Sequence, residues 1–262
     1  MGRLFVLAAL LCLPVQAMAV DVTAVLEPLR SVELRSTVNG RVTRIVEPEG
    51  TTVAAGDVVA EVDAGVQRAR VKLAEVTAGA QGSLTRAEEL LNQAEFRLER
   101  ITSARERGAA QSWEVESAAQ AVSVAKADVT VARDELRRRE AELGLELATL
   151  SEFTVRAPFD ATVLNVAVDP GTIVDTATVL VEIGALDTLQ ASAFVPVEWA
   201  RSFSGRDSVS ARLETGQTVD ARLRALDPRV DPASRTIRVL VEVPNADGAL
   251  RPGEILVIED PR

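Results

Sequence analysis

The side chains that most often carry chemistry are nearly missing from this sequence. Its 262 residues contain no His and no Tyr, and its one Cys and two Met residues are Cys12, Met1 and Met18. The chain after residue 18 therefore lacks an imidazole base, a thiolate nucleophile and soft metal ligands. Carboxylates remain, but with 39 acidic residues neighbouring pairs arise by chance. We expect no enzymatic activity, no catalytic or metal-binding residues and no cofactor.

The first residues have the pattern of a secretion signal. Arg3 precedes an apolar run from Leu4 to Val15, and Ala17-Met18-Ala19 has the small-x-small form of a signal-peptidase site. The run is shorter than the roughly 20 residues that span a bilayer. We expect residues 1–19 to be a cleavable signal peptide.

Composition narrows the fold and the partners further. The formal net charge of −10 disfavours binding to nucleic acid or to anionic lipid. Aromatic residues make up only 3% of the chain, so Ala, Val and Leu must form the interior. This composition is typical of narrow β-modules and coiled coils.

A β-strand pattern occurs twice, at a constant offset of 121 residues. Each copy consists of short strands separated by Gly and Pro turns. The matched positions are Val42/Val163, Ile45/Val166, Gly50/Gly171, Val53/Val174, Val59/Leu180 and Val62/Ile183. One copy alone buries too little apolar surface to be stable, so we expect the two to pack as a pseudo-symmetric sandwich.

The repeated pattern is Gly-x-Val-x-x-Ile, then Gly-x-x-Val, then Gly-Asp-x-Val, and it resembles the biotinyl/lipoyl domain. Carrier members of that family hold their cofactor on a lysine at the turn between the halves. Here the turn reads Asp63-Ala64-Gly65, and the chain's two lysines are Lys72 and Lys126. The resemblance therefore implies a structural module without an attached cofactor. A pair of unrelated β-hairpins is the alternative.

Between the copies, from about Gln67 to Leu150, lies a stretch rich in Ala, Glu, Arg and Leu. Small or apolar residues recur there at alternating steps of three and four, as in a coiled-coil seam. The first series is Leu73, Thr77, Ala80, Leu84, Ala87, Leu91, Ala94, Leu98 and Ile101, and the second is Val115, Ala118, Val122, Ala125, Val129, Ala132, Leu136 and Leu143. Two such series predict a pair of helices.

Glycines predict where these helices end. Gly108 is the strong breaker between the two series, so we expect a turn between Glu106 and Ser112 and an antiparallel hairpin with arms of about 60 Å. Gly79 and Gly82 predict a bend or a register change in the first arm.

Strand patterns flank the repeat, from Val22 to Glu33 and from Thr188 to Ile258. Between Thr236 and Val243 every second residue is apolar, which is typical of a half-buried strand. We expect these strands to form a small antiparallel β-barrel.

The predicted fold class is mixed α and β. It is a split lipoyl-like β-sandwich with an inserted antiparallel α-helical coiled-coil hairpin, plus a small antiparallel β-barrel domain. The predicted boundaries are 1–19 for the signal peptide, 20–36 and 186–262 for the barrel, 37–65 and 151–185 for the lipoyl-like halves, and 66–150 for the hairpin.

Residues 227–239 read DPRVDPASRTIRV, and they are followed by Pro244-Asn245 and by Leu250-Arg251-Pro252-Gly253. Together these segments resemble the barrel signature of periplasmic adaptor proteins, also called membrane-fusion proteins, of RND-type tripartite efflux pumps. Residues 154–160 resemble that family's entry into the second lipoyl half. The resemblance covers nearly the whole chain after the predicted signal peptide. Many members carry a further membrane-proximal β-domain after the Pro-Gly strand, whereas this chain ends at Arg262.

The resemblance implies a periplasmic adaptor that links an inner-membrane RND-type transporter to an outer-membrane channel protein for efflux of small molecules. It also implies a homo-oligomeric ring that associates with the inner membrane through its partners. Two alternatives stay open at this point. One is a covalent lipoyl/biotinyl-type carrier, and the other is a stand-alone periplasmic binding protein.

In that family the hairpin tip often shows an Arg, a Leu four residues later and a Ser near the start of the second helix. Alignment on Gly108 places Arg100, Ala104 and Gln111 at those positions, with Ser112 one residue late. The partner-binding tip implied by the resemblance comprises Arg100, Ala104, Arg105, Arg107, Gly108, Gln111 and Ser112. The alternative is that Arg100, Arg105 and Arg107 only solvate a turn.

Overall fold

The computed structural model describes residues 21–45, 48–203 and 205–259, so the predicted signal peptide lies outside the described residues. The described elements are β1 (Val22–Arg35), β2 (Gly40–Ile45), β3 (Thr52–Val53), β4 (Val58–Val62), α1 (Gly65–Ala78), α2 (Gly82–Glu106), α3 (Ser112–Ser151), β5 (Thr154–Arg156), β6 (Ala161–Val166), β7 (Ile173–Val174), β8 (Val179–Pro196), α4 (Val197–Phe203), β9 (Ser208–Leu213), β10 (Thr218–Asp231), β11 (Thr236–Pro244) and β12 (Ile255–Ile258).

The chain forms two compact units, which are described in turn. The first contains the described residues of Glu33–Pro158 and Asn165–Glu182, and the second contains those of Met1–Val32, Phe159–Leu164 and Ile183–Arg262. β8 runs without a break across residue 186, where the sequence predicts a module boundary. The exact module boundaries therefore stay predictions.

The two copies of the repeat share one sheet in the first unit. β2 and β4 of the first copy join β5 and β7, which follow the hairpin, in the order β5-β4-β2-β7. Matched positions are equally buried: Val53 and Val174 are 2% and 3% exposed, and Val59 and Leu180 are both fully buried. The lipoyl-like arrangement predicted from the sequence is confirmed.

Each copy is completed by the other. Gly171 N–H donates to the Val42 carbonyl over 2.7 Å, and Val42 N–H donates to the Thr172 carbonyl over 2.9 Å. Gly171 has a φ of 99°, and its counterpart Gly50 has a φ of 85°. Only glycine adopts this conformation without strain, which explains the repeated Gly at the two turns.

The hairpin leaves and re-enters the sheet at a single place. β4 and β5 are antiparallel neighbours with Glu61 opposite Thr154. Val62 N–H donates to the Phe153 carbonyl over 2.9 Å, so the strand before the hairpin is bonded to the residue that follows it. An insert whose two ends are held this close must run out and back.

The first arm of the hairpin is two helices, α1 and α2, and the second arm is the single 40-residue helix α3. The break after α1 includes Gly79, and α2 begins at Gly82, which confirms the predicted interruption. Along α3, a rise of 1.5 Å per residue gives a length of about 60 Å.

Three of the predicted seam positions are wrong. Leu73, Thr77 and Ala80 are exposed, and the buried positions of α1 are Gln67, Val71 and Ala78. The reason is the break at Gly79. In an unbroken seam two steps, of three and four residues, span seven residues, but Leu84 lies only six residues after Ala78.

Beyond the break the predicted seams are confirmed. The buried or half-buried positions are Leu84, Ala87, Leu91, Ala94, Leu98 and Ile101 in α2 and Val115, Ala118, Val122, Ala125, Val129, Ala132, Leu136 and Leu143 in α3. Small Ala side chains alternate with larger ones, which lets the helices approach closely. Ion pairs cross the seam from Lys126 to Glu95 at 3.3 Å and from Arg133 to Glu88 at 3.0 Å.

A buried amide holds α1 against α3 near the base of the hairpin. Gln67 is only 3% exposed, and its Nε2 donates to the Glu146 carbonyl at 3.0 Å and to the Glu146 carboxylate at 2.7 Å. Both protons of the amide are thereby satisfied. This contact fixes the height at which α1 meets α3.

A cluster of charges on α3 supports the broken arm. Arg139 donates to the Ala80 carbonyl at 3.4 Å, within the break. Glu135 in turn accepts hydrogen bonds from Arg139 at 2.9 Å and from Arg138 at 2.8 and 3.0 Å. These bonds, first that from Arg138 and then that from Arg139, lower the pKa of Glu135 to about 2.

The second unit is an antiparallel barrel. Its strands pair in the order β1-β12-β9-β10-β11-β8, and β1 also pairs with β8, so the order is cyclic. In β11 Ile237, Val239, Val241 and Val243 are buried, whereas Arg238 is exposed. The predicted barrel, including a contribution from the N-terminal strand, is confirmed.

The aromatic side chains of α4 fill part of the barrel interior. Trp199 and Phe203 are each 1% exposed, and their rings meet edge to face with centroids 6.2 Å apart. None of the helices in the described ranges combines the length and the apolar character needed to cross a bilayer.

Two residues of the barrel signature stabilise turns through hydrogen bonds to the backbone. Asn245 donates to the carbonyls of Leu186 and Leu250 at 2.8 and 3.0 Å, and its side-chain oxygen accepts the Leu250 N–H at 2.8 Å. Asp231 accepts the Ala233 N–H at 2.8 Å in the turn between β10 and β11. These residues are therefore needed for the barrel backbone.

Replacing residues 67–150 by a short Gly-rich turn is expected to leave a folded β-protein, because β4 and β5 are already bonded to each other across that point. The helical signal in far-UV circular dichroism should disappear, while cooperative thermal unfolding persists. An unfolded product would show that the hairpin is part of the β-core.

Acid is expected to weaken the hairpin through Glu135. Its pKa is lower in the folded than in the unfolded chain, so its contribution to stability is present above about pH 4.5 and is lost as the pH falls towards about 2. Urea unfolding of the wild type and of Glu135→Gln at pH about 5 and about 3 should differ less at the lower pH. The Glu140→Gln variant, on the same helix, is the control, and an equal pH response of wild type and Glu135→Gln would contradict the expectation.

Candidate functional site

The far end of the hairpin is a short turn closed by backbone hydrogen bonds. α2 ends at Glu106, and in the turn the Gly108 N–H donates to the Arg105 carbonyl and the Ala109 N–H to the Ala104 carbonyl, both at 2.8 Å. Gly108 has a φ of 74°, in the left-handed region that favours glycine. The turn thereby satisfies two carbonyls that the end of α2 would otherwise leave open.

The start of α3 is equally well defined. Gln111 is extended, with φ −91° and ψ 157°, and it occupies the N-cap position. Its N–H donates to the Glu114 carboxylate at 2.7 Å, which is one half of a capping box. The carboxylate also lies in the first turn of the helix, where negative charge is favourable.

The structure brings six of the seven predicted tip residues to this turn. They are Ala104, Arg105, Arg107, Gly108, Gln111 and Ser112. The seventh, Arg100, lies further down α2, and its guanidinium sits over the Phe96 ring at 5.9 Å from the centroid. Arg100 therefore already has a partner within the hairpin.

Arg105 and Arg107 are exposed, and neither forms an ion pair or a side-chain hydrogen bond within the described part of the chain. Elsewhere in the hairpin Arg133 and Arg138 are paired with Glu residues, whereas Arg70, Arg86 and Arg97 form no ion pair within the described residues either. Two guanidinium groups with open donors thus flank the Gly108 turn.

Sequence reasoning missed Trp113, which lies in the first turn of α3 and is 67% exposed. The signal was present in the pattern, since the seam of α3 begins at Val115 and Trp113 lies off it. A tryptophan placed off the seam of a helix must face solvent or a partner.

The outer faces of α1 and α3 are a second candidate surface. Here the outer face of a helix means the side turned away from its buried seam. On α1 it carries exposed apolar residues at alternating steps of three and four, namely Val66, Ala69, Leu73 and Val76. On α3 it carries Val124, Ala127, Val131, Ala141, Leu145 and Ala148, interrupted by Asp134 and Arg138. Each spacing is that of a coiled-coil seam without a partner helix.

The two lysines and the acidic residues were also compared with the requirements of a cofactor-attachment site and of a metal site. Lys72 and Lys126 lie on α1 and α3, 3.6 Å from Glu75 and 3.3 Å from Glu95, and not at a turn of the lipoyl-like module. Within residues 21–45, 48–203 and 205–259, no group of three or more His, Cys, Asp or Glu could hold a metal ion. The arrangement is suited to binding helical surfaces.

The barrel matches a known domain family. A model of the family described as CusB-like, beta-barrel domain, matches residues 191–259. The cation efflux system protein CusB of Escherichia coli (strain K12) is 29% identical over 105 residues, which are 39% of this chain and 26% of CusB.

Longer matches extend over most of the chain. The nodulation protein NolF of Rhizobium meliloti (strain 1021) is 31% identical over 243 residues, which are 91% of this chain and 62% of NolF. The crystal structure of MacA from Actinobacillus actinomycetemcomitans matches 92% of this chain and 78% of that one, with a TM-score of 0.77 and 18% identity. The membrane fusion protein Spr0693 of Streptococcus pneumoniae R6 matches 92% of this chain and 97% of that one, with a TM-score of 0.63 and 17% identity.

The chain thus spans about three fifths of the length of NolF and about a quarter of that of CusB. The match to a protein titled a membrane fusion protein covers the hairpin, the lipoyl-like module and the barrel together. The predicted resemblance is confirmed: the chain has the fold of the membrane-fusion, or periplasmic adaptor, proteins, and residues 191–259 match the CusB-like barrel domain family.

Proposed function

We propose that this protein is a non-enzymatic periplasmic adaptor, which links an inner-membrane RND-type transporter to an outer-membrane channel protein for efflux of small molecules. The observation that carries the proposal is the hairpin. An arm of about 60 Å leaves a lipoyl-like module at one point and ends in a rigid turn whose arginines have no partner within the described residues. Such an element is built to reach a distant partner.

The relatives support the same reading. CusB is named a cation efflux system protein, and residues 191–259 of this chain match the CusB-like barrel domain family. Cleavage after residue 19 would release the protein into the periplasm, where both partners are accessible. The cargo passes through the partners in this scheme, so the adaptor itself needs no catalytic group.

The tip is the proposed contact with the channel. Arg105 and Arg107 can donate hydrogen bonds to carboxylates or to the open carbonyls at the ends of partner helices. Gly108 has no side chain to keep the two backbones apart. A Cβ added at Gly108 would meet nothing within 4 Å inside the chain, so the space beside it is open to a partner.

Changing Gly108 to Leu or Arg107 to Glu is expected to abolish docking. Loss of one charge-assisted hydrogen bond corresponds to a roughly tenfold to hundredfold weaker contact. Export and in-cell cross-linking of the tip to the outer membrane are the measurements, and far-UV circular dichroism should be unchanged.

Gly108→Ala is the matched control for the first variant, because it carries the same strain at positive φ without the bulk. If Gly108→Leu and Arg107→Glu both export normally, the tip is only a solvated turn. If the strain alone is responsible, Gly108→Ala will fail as completely as Gly108→Leu.

The outer faces support a ring of several copies. α1 and α3 pack through their buried seams, so their outer faces point away from each other. A contact between the outer face of α1 in one copy and that of α3 in the next would be heterologous, and such contacts close into rings when the rotation permits. Each copy would then complete the unpartnered seam of its neighbour.

Substitutions that introduce opposite charges on the two outer faces test this pairing. Gln67 contacts Glu146, and the helices are antiparallel, so Leu73 and Ala141 lie at about the same height. Leu73→Glu and Ala141→Lys should each reduce the oligomer mass in size-exclusion chromatography with light scattering. The double variant should restore part of it, because Glu and Lys then face each other between copies.

Leu90→Glu is the control, since Leu90 is exposed but lies on neither outer face. An oligomer that survives both single changes would show that the copies associate through other surfaces.

A further inference from the structure

We infer that Trp113 is the apolar anchor of the tip, and that it inserts into a slot between helices at the periplasmic end of the channel protein. This inference rests on the proposed function and names the chemistry of the partner at the same site. The partner must offer an apolar slot of indole size, bordered by carboxylates or free carbonyls that accept from Arg105 and Arg107.

The chain's two tryptophans lie in contrasting environments. Trp199 is 1% exposed and meets Phe203 edge to face inside the barrel. Trp113 is 67% exposed, and within the described residues it has no aromatic or cation–π contact. Only 3% of the residues are aromatic, and within the described residues Trp113 is the most exposed of them, ahead of Phe96 at 61% and Phe194 at 58%.

The backbone that carries the indole is held in a fixed place. Trp113 lies one residue from Glu114, whose carboxylate closes the capping box with Gln111 at 2.7 Å. On the other side, the turn is closed by the bonds of Gly108 and Ala109 to α2. An anchor that is ordered before binding loses little conformational entropy on binding, which is why rigid aromatic residues dominate interfaces.

Trp113 has no role in the packing of the hairpin itself. The buried seam of α3 begins at Val115. Trp113 is in phase with the outer face of α3, but Ser117 and Gln120 occupy the two positions between it and Val124. The polar pair separates the indole from the apolar surface that neighbouring copies are proposed to share.

Charge favours a protein over a lipid surface. Glu106, Glu114 and Glu116 surround the indole in sequence, and the chain carries a net charge of −10. With Arg105 and Arg107 counted, residues 104–116 have a net charge of 2 − 3 = −1, so the tip has no excess of basic groups to hold an anionic bilayer. A protein slot can place acceptors beside the two arginines and keep carboxylates away from the glutamates.

The test compares Trp113→Ala, Trp113→Phe and Leu90→Ala in cells that lack the native chain. Leu90 is also exposed on the hairpin, but it lies far from the tip. Truncation of a central aromatic anchor weakens an interface by about thirtyfold or more. We expect Trp113→Ala to leave cells as sensitive to a panel of toxic compounds as the deletion strain, and Trp113→Phe and Leu90→Ala to restore resistance.

Two measurements on the purified full chain test whether Trp113 instead contacts another copy of the chain or a lipid surface. Light scattering should give Trp113→Ala the same oligomer mass as the wild type. The fluorescence difference between wild type and Trp113→Phe isolates the emission of Trp113, which should not shift on adding vesicles of phosphatidylethanolamine and phosphatidylglycerol. A changed mass would assign Trp113 to contacts between copies, and a blue shift would assign it to lipid, and either result overturns the inference.

Failure of the inference and failure of the proposed function give different results. If deleting the chain changes neither sensitivity nor export, the proposed function fails and the inference falls with it. If deletion sensitises the cells but Trp113→Ala restores full resistance, the adaptor function stands and the anchor is not Trp113.

Discussion

The structure depends on the closure at the base of the hairpin, where Val62 N–H is bonded to the Phe153 carbonyl and β4 lies beside β5. Because of this closure, the 84 residues from Gln67 to Leu150 are inserted between the two halves of one β-module without separating the halves. It also fixes the direction of both arms. The ends of an insert held in adjacent strands cannot diverge, so any helical sequence placed there must return, and a long reach is obtained while the module stays intact.

The same constraint explains the composition. A hairpin of two packed arms has no wide interior, so its seam consists mainly of Ala, Val and Leu, whereas the large aromatic residues Trp199 and Phe203 are buried in the barrel. A narrow apolar seam gives limited stability. The ion pair between Arg133 and Glu88 adds a contact across the seam, and the hydrogen bond from Arg139 to the Ala80 carbonyl adds a contact at the break. The interruption at Gly79 costs helix propensity, and the Arg139 contact to a free carbonyl offsets part of that cost.

Much of the fold was predictable because its signals are periodic. The 121-residue repeat fixed which strands correspond, and the seam spacing located α2 and α3 together with the turn at Gly108. The phase of α1 was not predictable, because a break of three residues between Ala78 and Gly82 can shift a helix by any angle, and only the packing of Gln67 against Glu146 decides it. The seam spacing also gave no indication of Trp113, because this residue lies off the seam.

The barrel signature and the tip carry different kinds of information. Asn245 and Asp231 are engaged in turns of the barrel backbone, so any chain with this fold needs groups of this kind there, whatever it transports. At the tip the backbone is closed by main-chain bonds and by the capping carboxylate of Glu114, and these leave the side chains of Arg105, Arg107 and Trp113 without a structural duty. Side chains that the fold does not need are free to vary with the partner. Under the proposed function, the few exposed groups around Gly108 would select the channel protein, and the family resemblance, which rests on the barrel and the module order, does not specify it.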